Sequence, residues 1–302
     1  MEEMTTGLCP KCGHTLQIPA ELERFSCMYC GERLTKRQLL TQPEEASCSE
    51  EDCAVSFDHA VSRLGWCVQN FRGYQKKILR DAFFEAFETY ETGCAPVIQE
   101  LNSGVRPERQ TELLDRAAEA MLDELSAGWE KKNDMEDEKV ILAIFFVPMV
   151  RKLQLPVSEE FVSLLQKKWV ERYPKSPFYL GDYESISGGF RKKFLGLCFI
   201  TTAVCQELGK PDDCAELTAF RAFRDGYLAA QPDGEALIRE YYNIAPGIVT
   251  CINTCSDRHA SYARIREQYL APCYEDLLAG RNADCKTRYV QMVRDLEREY
   301  LN

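Results

Sequence analysis

Two Cys-x-x-Cys pairs near the start of the chain restrict its fold more than any other feature. Fourteen residues separate the two pairs, whose members are Cys9, Cys12, Cys27 and Cys30. Each pair can form a tight turn that directs two thiolates at one ion, and a glycine follows each pair to permit a positive φ. Four thiolates complete the tetrahedral shell of Zn²⁺ and leave no open position, so the spacing predicts a structural zinc site.

This N-terminal segment resembles the zinc-ribbon family over roughly residues 7–34. The resemblance implies short strands and a role in binding either nucleic acid or protein, and so small a segment needs its metal to fold. Residues 1–38 carry five Lys or Arg and five Glu, a neutral balance that favours a protein contact or an architectural role. The net charge of the whole chain, -11, also argues against nucleic-acid binding, which needs clustered cations.

The remainder of the sequence has the periodicity of helices. Apolar residues recur at spacings of three and four in the segments 74–90, 112–129 and 158–173, the last with Ser158 as its expected N-cap. The run VILAIFFVPMV (140–150) is about half of the roughly 20 residues that a membrane span needs, so we expect a buried core helix kinked at Pro148. The predicted fold is a mainly all-α multi-helix body with a small N-terminal β zinc ribbon.

Composition divides the chain into four ranges. A zinc ribbon (1–38) precedes an acidic linker (39–58), a helical domain (59–173) and a second helical domain (174–302). The second helical domain opens with a segment rich in proline and glycine, 174–189, which is a candidate functional loop. The sequence has 15 cysteines and no apparent export signal, so we expect a cytoplasmic protein with free thiols.

Three motifs follow one another in the C-terminal range. They are CFITTA (198–203), LTAFRAFRDGYL (217–228) and ALIREYYNIAPGIV (236–249). Together they resemble the CFI-box domain found at the C-termini of diverse bacterial proteins, although this sequence departs from that pattern after Ala203. The resemblance implies a bacterial origin and supplies no catalytic residues.

Cys198 opens the first of these motifs and has three possible roles. A position in the first turn of a helix, close to Arg191, Lys192 and Lys193, would stabilise a reactive thiolate. A nucleophile also needs a base, and only His259 or His59 could serve.

The alternative roles of Cys198 are metal ligation and packing. Thr201, Thr202 and Cys205 lie on its face of the predicted helix, and small residues suit close helix contacts. Free cysteine is commonly buried as a small hydrophobe, so packing is the favoured interpretation.

Two further groups are candidate sites. Arg221 and Asp225 are four residues apart and can pair along a helix, with Arg224 on a neighbouring line. This cluster is either an ion network with Glu240 and nearby tyrosines or a pocket for an anionic ligand.

A second metal site is possible where Cys251, Cys255 and His259 recur every four residues. Either Cys273 or Cys285 would be the fourth ligand. Asp257 is a plausible N-cap, and a helix break there would spoil the alignment.

These patterns favour a protein-interaction or adaptor module with a protein partner, no membrane span and a structural Zn²⁺. One alternative is a cysteine-dependent enzyme or thiol sensor that uses Cys198. The other is nucleic-acid binding through the ribbon.

Overall fold

The computed structural model describes residues 4–8, 15–19, 22–29, 31–36, 49–131, 133–191, 198–254 and 257–302. The chain divides into two compact units, Met1–Cys53 and Ala54–Asn302. The described residues are mostly helical, and their strands belong to the N-terminal unit. The prediction of a helical body with a small N-terminal β segment is confirmed at this level.

Two antiparallel hairpins make up the described part of the N-terminal unit. Strand β1 (Met4–Leu8) pairs with β2 (Thr15–Pro19), and β3 (Arg24–Ser26) pairs with β4 (Arg33–Thr35). Leu16, Cys27 and Leu34 form a small buried cluster, with Phe25 packed against it. So few apolar side chains bury little surface, and domains of this size usually need a staple such as a metal ion.

The body is built from helices that vary widely in length. They are α1 (Glu50–Leu64), α2 (Trp66–Gln69), α3 (Phe83–Gly104), α4 (Gln110–Ala127), α5 (Asp134–Ile141), α6 (Val147–Lys152), α7 (Ser158–Arg172), α8 (Tyr183–Arg191), α9 (Phe199–Glu207), α10 (Ala215–Ala222), α11 (Gly234–Thr254), α12 (Arg258–Ile265), α13 (Ala271–Leu278) and α14 (Asn282–Tyr300). Three π-helical turns join α5 to α6 (Leu142–Phe146), follow α10 (Phe223–Leu228) and join α12 to α13 (Arg266–Leu270).

Helix α1 begins inside the segment predicted to be an acidic linker, so residues 50–58 are helical. The hydroxyl of Ser49 accepts a hydrogen bond of 3.1 Å from the Asp52 amide, which satisfies one free donor of the first turn. Glu50, Glu51 and Asp52 lie in that turn, where the helix dipole stabilises negative charge. The acidic composition therefore marks a helix start here.

Two predicted helix starts also differ from those observed. Helix α3 begins at Phe83, because residues 80 and 81 instead bond to α11: the Arg80 amide donates to the Asn243 carbonyl over 2.9 Å. Ser158 is the first residue of α7 and not its N-cap. Its hydroxyl donates to the Val150 carbonyl over 2.7 Å. The hydroxyl that was expected to cap α7 therefore bonds to another helix instead.

The candidate loop 174–189 is irregular only up to residue 182. The carboxylate of Asp182 accepts hydrogen bonds of 2.8 Å from both the amide and the hydroxyl of Ser185. These bonds cap the start of α8 at Tyr183.

The segment 140–150 lies in the core, as its apolar sequence predicts. Residues 141–150 are buried, and Phe145 and Phe146 are completely inaccessible. The irregularity is a π turn (Leu142–Phe146) that ends just ahead of Pro148, because proline lacks a donor and its ring crowds the carbonyl four residues earlier. Within the described ranges, no helix is long and apolar enough to cross a membrane.

Aromatic side chains gather around this buried segment. The Phe145 ring centroid lies 5.5 Å from that of Tyr90 and 5.9 Å from that of Phe83. Phe83 in turn stacks on Phe190 of α8 at 4.2 Å. Such pairs contribute about 0.5–1.5 kcal/mol each beyond the area they bury.

Helix α11 approaches the backbone of residue 78 very closely. A Cβ added to Gly247 would lie 1.9 Å from the Ile78 carbonyl oxygen. One turn earlier, Asn243 receives both the Arg80 amide and, on its side chain, the Asp81 amide at 3.1 Å. Position 247 therefore requires glycine, because any Cβ there would clash with the backbone of Ile78.

We expect Gly247→Ala to lower the free energy of unfolding by about 1–3 kcal/mol, since α11 must move away from residue 78. Gly188→Ala is the matched control, because nothing lies within 4 Å of a Cβ added there on α8. That change should be neutral or stabilise by up to about 1 kcal/mol through helix propensity. Urea denaturation measures both, and equal stabilities for the two variants would contradict the close approach.

Candidate functional site

An apolar pocket lies among the helices of the C-terminal part of the body. Helices α10, α11 and α14, the π turn after α10 and Cys198 just ahead of α9 contribute its walls, and its volume is about 50 Å³. Most of its lining is aliphatic or aromatic: Phe220, Phe223, Leu237, Ile238, Val290 and Val293. Cys198, Arg224, Tyr241 and Tyr289 contribute polar groups to this lining.

Cys198 occupies the N-cap position of α9, one residue before the helix begins. The side chain is 4 % exposed, and its sulfur accepts a hydrogen bond from Arg224 Nη1 over 3.5 Å. Burial raises the pKa of the Cys198 thiol, although the Arg224 and Arg221 cations act in the opposite direction. A neutral, packed thiol is therefore the form that this site favours at neutral pH.

Arg224 is held in one orientation by three neighbours. Its guanidinium makes a two-pronged contact with Asp225, at 2.6 and 2.8 Å, and Nη1 donates to Tyr242 Oη over 2.9 Å. Hydrogen bonding to Asp225 raises the pKa of Arg224, and the same contact lowers the pKa of Asp225. The cation is 8 % exposed, so it is a fixed part of the pocket wall.

Three hydroxyl groups tie α9 to α11 and α14 beneath the pocket. The Ile200 amide donates to Tyr241 Oη over 3.0 Å, and Tyr289 Oη donates to the same oxygen over 3.4 Å. Thr201 Oγ1 lies 3.1 Å from Tyr289 Oη. Burial raises the pKa of Tyr241 and of Tyr289, so both phenols stay neutral and act as structural hydrogen-bonding groups.

Thr202 faces a different environment from Thr201. Its hydroxyl is buried and has no hydrogen-bond partner in the described part of the chain.

The predicted pair between Arg221 and Asp225 is not formed. Arg221 instead donates to the carbonyl and to the carboxylate of Asp212, both at 2.8 Å. Asp225 pairs with its sequence neighbour Arg224 instead. Glu240 lines the pocket, and Arg191 pairs with Glu184 at 3.4 Å.

The two histidines proposed as bases lie elsewhere. His259 is 79 % exposed and pairs with Glu207, the last residue of α9. Cys198 precedes the first residue of that helix, and nine residues of helix span about 13 Å. His59 pairs with Glu100 at 2.7 Å. Both histidines therefore contact glutamate carboxylates.

The predicted second metal site is divided between two helices. Helix α11 ends at Thr254 and α12 begins at Arg258, after Asp257. The Cys251 thiol contacts the Tyr300 carbonyl oxygen at 3.6 Å, while Cys273 contacts the Cys285 carbonyl oxygen at 3.9 Å. Cys255 lies outside the described residues.

One predicted zinc ligand can be placed. Cys27 is buried directly after β3, and its carbonyl accepts a 2.9 Å hydrogen bond from the Gly31 amide. Gly31 has a φ of +72°, the conformation expected after a Cys-x-x-Cys turn. Cys9, Cys12 and Cys30 lie outside the described residues, which contain no group of three or more metal-binding side chains.

Comparisons of the chain with protein-family models, curated proteins and solved structures find no match. The resemblances to a zinc ribbon and to a CFI box therefore remain predictions.

The links from α9 to the tyrosines were not predicted. Tyr289 follows Thr201 by 88 residues in sequence, and no local pattern joins them. The one available signal was the apolar stripe of α14, which includes Tyr289 and indicated only that this residue faces the body.

We expect Cys198 to resist iodoacetamide at neutral pH until the protein unfolds, because the thiol is buried and its pKa is raised. Labelling should begin only as the pH rises above the ordinary thiol range. The half-exposed Cys214 is the internal control and should react first. Site-resolved mass spectrometry measures both, and labelling of the folded protein at Cys198 as fast as at Cys214 would favour the thiol-chemistry alternative.

Proposed function

We propose that this chain is a cytoplasmic protein-interaction module whose Cys198 pocket receives one apolar side chain of a partner protein. The observation that carries the proposal is the pocket itself, with aliphatic and aromatic walls and charged residues at its edge. Apolar centres with polar rims are characteristic of protein–protein contacts.

The size of the pocket supports a side chain as the guest. Its volume is about 50 Å³, and one water molecule needs about 10–15 Å³ on this measure. The space therefore fits roughly four heavy atoms, which is the size of a leucine or methionine side chain. Small-molecule sites are usually several times larger.

The charged residues around the pocket offer specificity. Glu240 and Arg294 are exposed and line its edge, while Arg224 is fixed within it by Asp225 and Tyr242. A partner segment with an apolar anchor and flanking groups of both charges would complement this arrangement.

The two alternatives have less support from the geometry. A cysteine enzyme needs an ionisable Cys198 with a base in reach, whereas burial raises the pKa of this thiol and His259 pairs with Glu207. Nucleic-acid binding needs clustered cations, but the described N-terminal residues present Arg24 and Arg33 together with Glu23.

The N-terminal unit also presents apolar side chains at its second hairpin turn. Met28 is 78 % exposed and Tyr29 is 58 % exposed, between the predicted ligands Cys27 and Cys30. Exposed apolar residues of this size favour a protein contact, which agrees with an adaptor function.

Selection of random peptides on the full-length chain tests the pocket. We expect enriched peptides to share one leucine, isoleucine or methionine anchor. Val290→Trp fills the pocket from α14 and should weaken their binding by at least about tenfold, as the loss of an interface hot spot does. Thr287→Trp is the control, since Thr287 is exposed on the same helix and does not line the pocket.

Equal binding of the selected peptides to the wild type and to Val290→Trp would refute the pocket as the docking site. Enrichment of peptides without an apolar anchor would do the same. Circular dichroism of both tryptophan variants shows whether each one folds.

We also propose that Cys9, Cys12, Cys27 and Cys30 hold one structural Zn²⁺. The supporting observations are the buried Cys27 at the end of β3 and the positive φ of Gly31. Four thiolates would supply a closed tetrahedral shell, so the ion would stabilise the fold of the N-terminal unit.

Elemental analysis of the purified chain should give one zinc per molecule, and Cys27→Ser should lose it. Cys53→Ser is the matched control, since Cys53 is buried at the start of α1, outside the two pairs. Chelation should leave most of the helical circular-dichroism signal, because the body has its own core. Zinc retained in Cys27→Ser, or absent from the wild type, would overturn this assignment.

A further inference from the structure

Two cysteines at the end of α9 and the start of α10 lie close enough to react with each other. The sulfur atoms of Cys205 on α9 and Cys214, which directly precedes α10, are 3.9 Å apart. A disulfide bond is about 2.05 Å long, so the two sulfurs need to approach by about 1.9 Å. Cys205 is buried and Cys214 is half-buried, so a reagent can reach one sulfur of the pair.

The chain between these cysteines is folded back by a well-defined helix end. Gly209 has a φ of +67°, and its amide donates to the Gln206 carbonyl over 2.9 Å. The Lys210 amide donates to the Cys205 carbonyl, also over 2.9 Å. This pair of bonds is a Schellman motif, which reverses the chain directly after α9.

Further contacts hold the loop against α10. The Cys214 amide donates to the Pro211 carbonyl over 3.1 Å, and Lys210 pairs with Glu216. Arg221 binds the carbonyl and carboxylate of Asp212 at 2.8 Å. The short distance between the sulfurs therefore results from a loop that is fixed at both ends.

We propose that Cys205 and Cys214 are a redox-active pair that forms a reversible intramolecular disulfide by exchange with a low-molecular-weight disulfide. The Cys214 thiol loses its proton, and the thiolate attacks one sulfur of the reagent to form a mixed disulfide and release one reagent thiolate. The Cys205 thiolate then attacks the Cys214 sulfur and releases the second. Two protein thiols are oxidised, and one reagent disulfide is reduced to two thiols.

The order of attack follows from accessibility. Cys214 is the sulfur that a reagent can reach, whereas Cys205 is enclosed and serves as the resolving thiol. Burial raises the pKa of Cys205 to about 12, and the neighbouring Cys214 adds to the shift. Ring closure is therefore the slower step at neutral pH, and its rate should rise as the pH increases toward that pKa.

Two other cysteine pairs of the body provide an internal comparison. Cys94 contacts the Cys67 carbonyl oxygen and Cys273 contacts the Cys285 carbonyl oxygen, each at 3.9 Å. All four side chains are completely inaccessible, so neither pair offers a sulfur that a dissolved disulfide can attack. Cys205 and Cys214 differ from both pairs because their sulfurs are close together and one of them is accessible to a dissolved reagent.

The experiment treats the full-length protein with oxidised glutathione, stops exchange with acid and alkylates the remaining thiols. Cleavage after glutamate then cuts at Glu207, between the two cysteines, and at Glu216. The peptides that end at these residues stay joined only through a disulfide. We expect the joined peptide, a loss of two hydrogens from the intact mass, and full reversal by dithiothreitol.

Matched variants identify the sulfurs. The peptide that ends at Glu207 also contains Cys198, so Cys205→Ser decides which of its two cysteines is joined. Both Cys205→Ser and Cys214→Ser should lose the joined peptide, and Cys205→Ser should instead accumulate a glutathione adduct on Cys214. Cys285→Ser should form the joined peptide as the wild type does.

Three results would overturn the proposal. They are an unmodified pair, a lasting adduct on Cys214 without closure in the wild type, and joined peptides that persist in Cys205→Ser. Circular dichroism before the acid step confirms that each variant is folded when it meets the reagent. None of these outcomes depends on whether the pocket binds a partner.

Discussion

The burial of residues 141–150 is the constraint on which the helical body depends. Ten consecutive residues lie in the core. The π turn at Leu142–Phe146 precedes Pro148, so the chain stays helical on both sides of the proline. Phe145 contacts the rings of Phe83, Phe87 and Tyr90. A polar side chain in place of Phe145 would lose these ring contacts and would also bury a polar group without a hydrogen-bond partner.

Helix α11 connects this core to the pocket. One side of the helix carries Asn243, which bonds to the Arg80 and Asp81 amides, and Gly247, which packs against the Ile78 carbonyl. Another side carries Tyr241 and Tyr242, which bond to the start of α9 and to Arg224. The position of Cys198 therefore depends on how α11 packs, and the core to which α11 belongs includes the pocket residues Cys198, Phe220 and Tyr241.

The cysteines of the body show how environment decides the chemistry of one residue type. Cys198 and the two enclosed pairs are buried, so they behave as small apolar side chains. Cys205 and Cys214 differ because one sulfur of the pair reaches the surface and the loop holds the two together. Composition alone, with its 15 cysteines, cannot distinguish these cases.

The sequence by itself predicted a small β segment at the N-terminus, amphipathic helices in the body and a buried segment at 140–150. Local periodicity and turn chemistry are enough for these, because they depend on residues a few positions apart. The tertiary structure alone decided the partners of Ser158, Arg221 and Tyr289, because each is bound by a residue from another element. It also decided that Cys198 lies against a buried arginine, since burial and distance between remote segments carry no local signature.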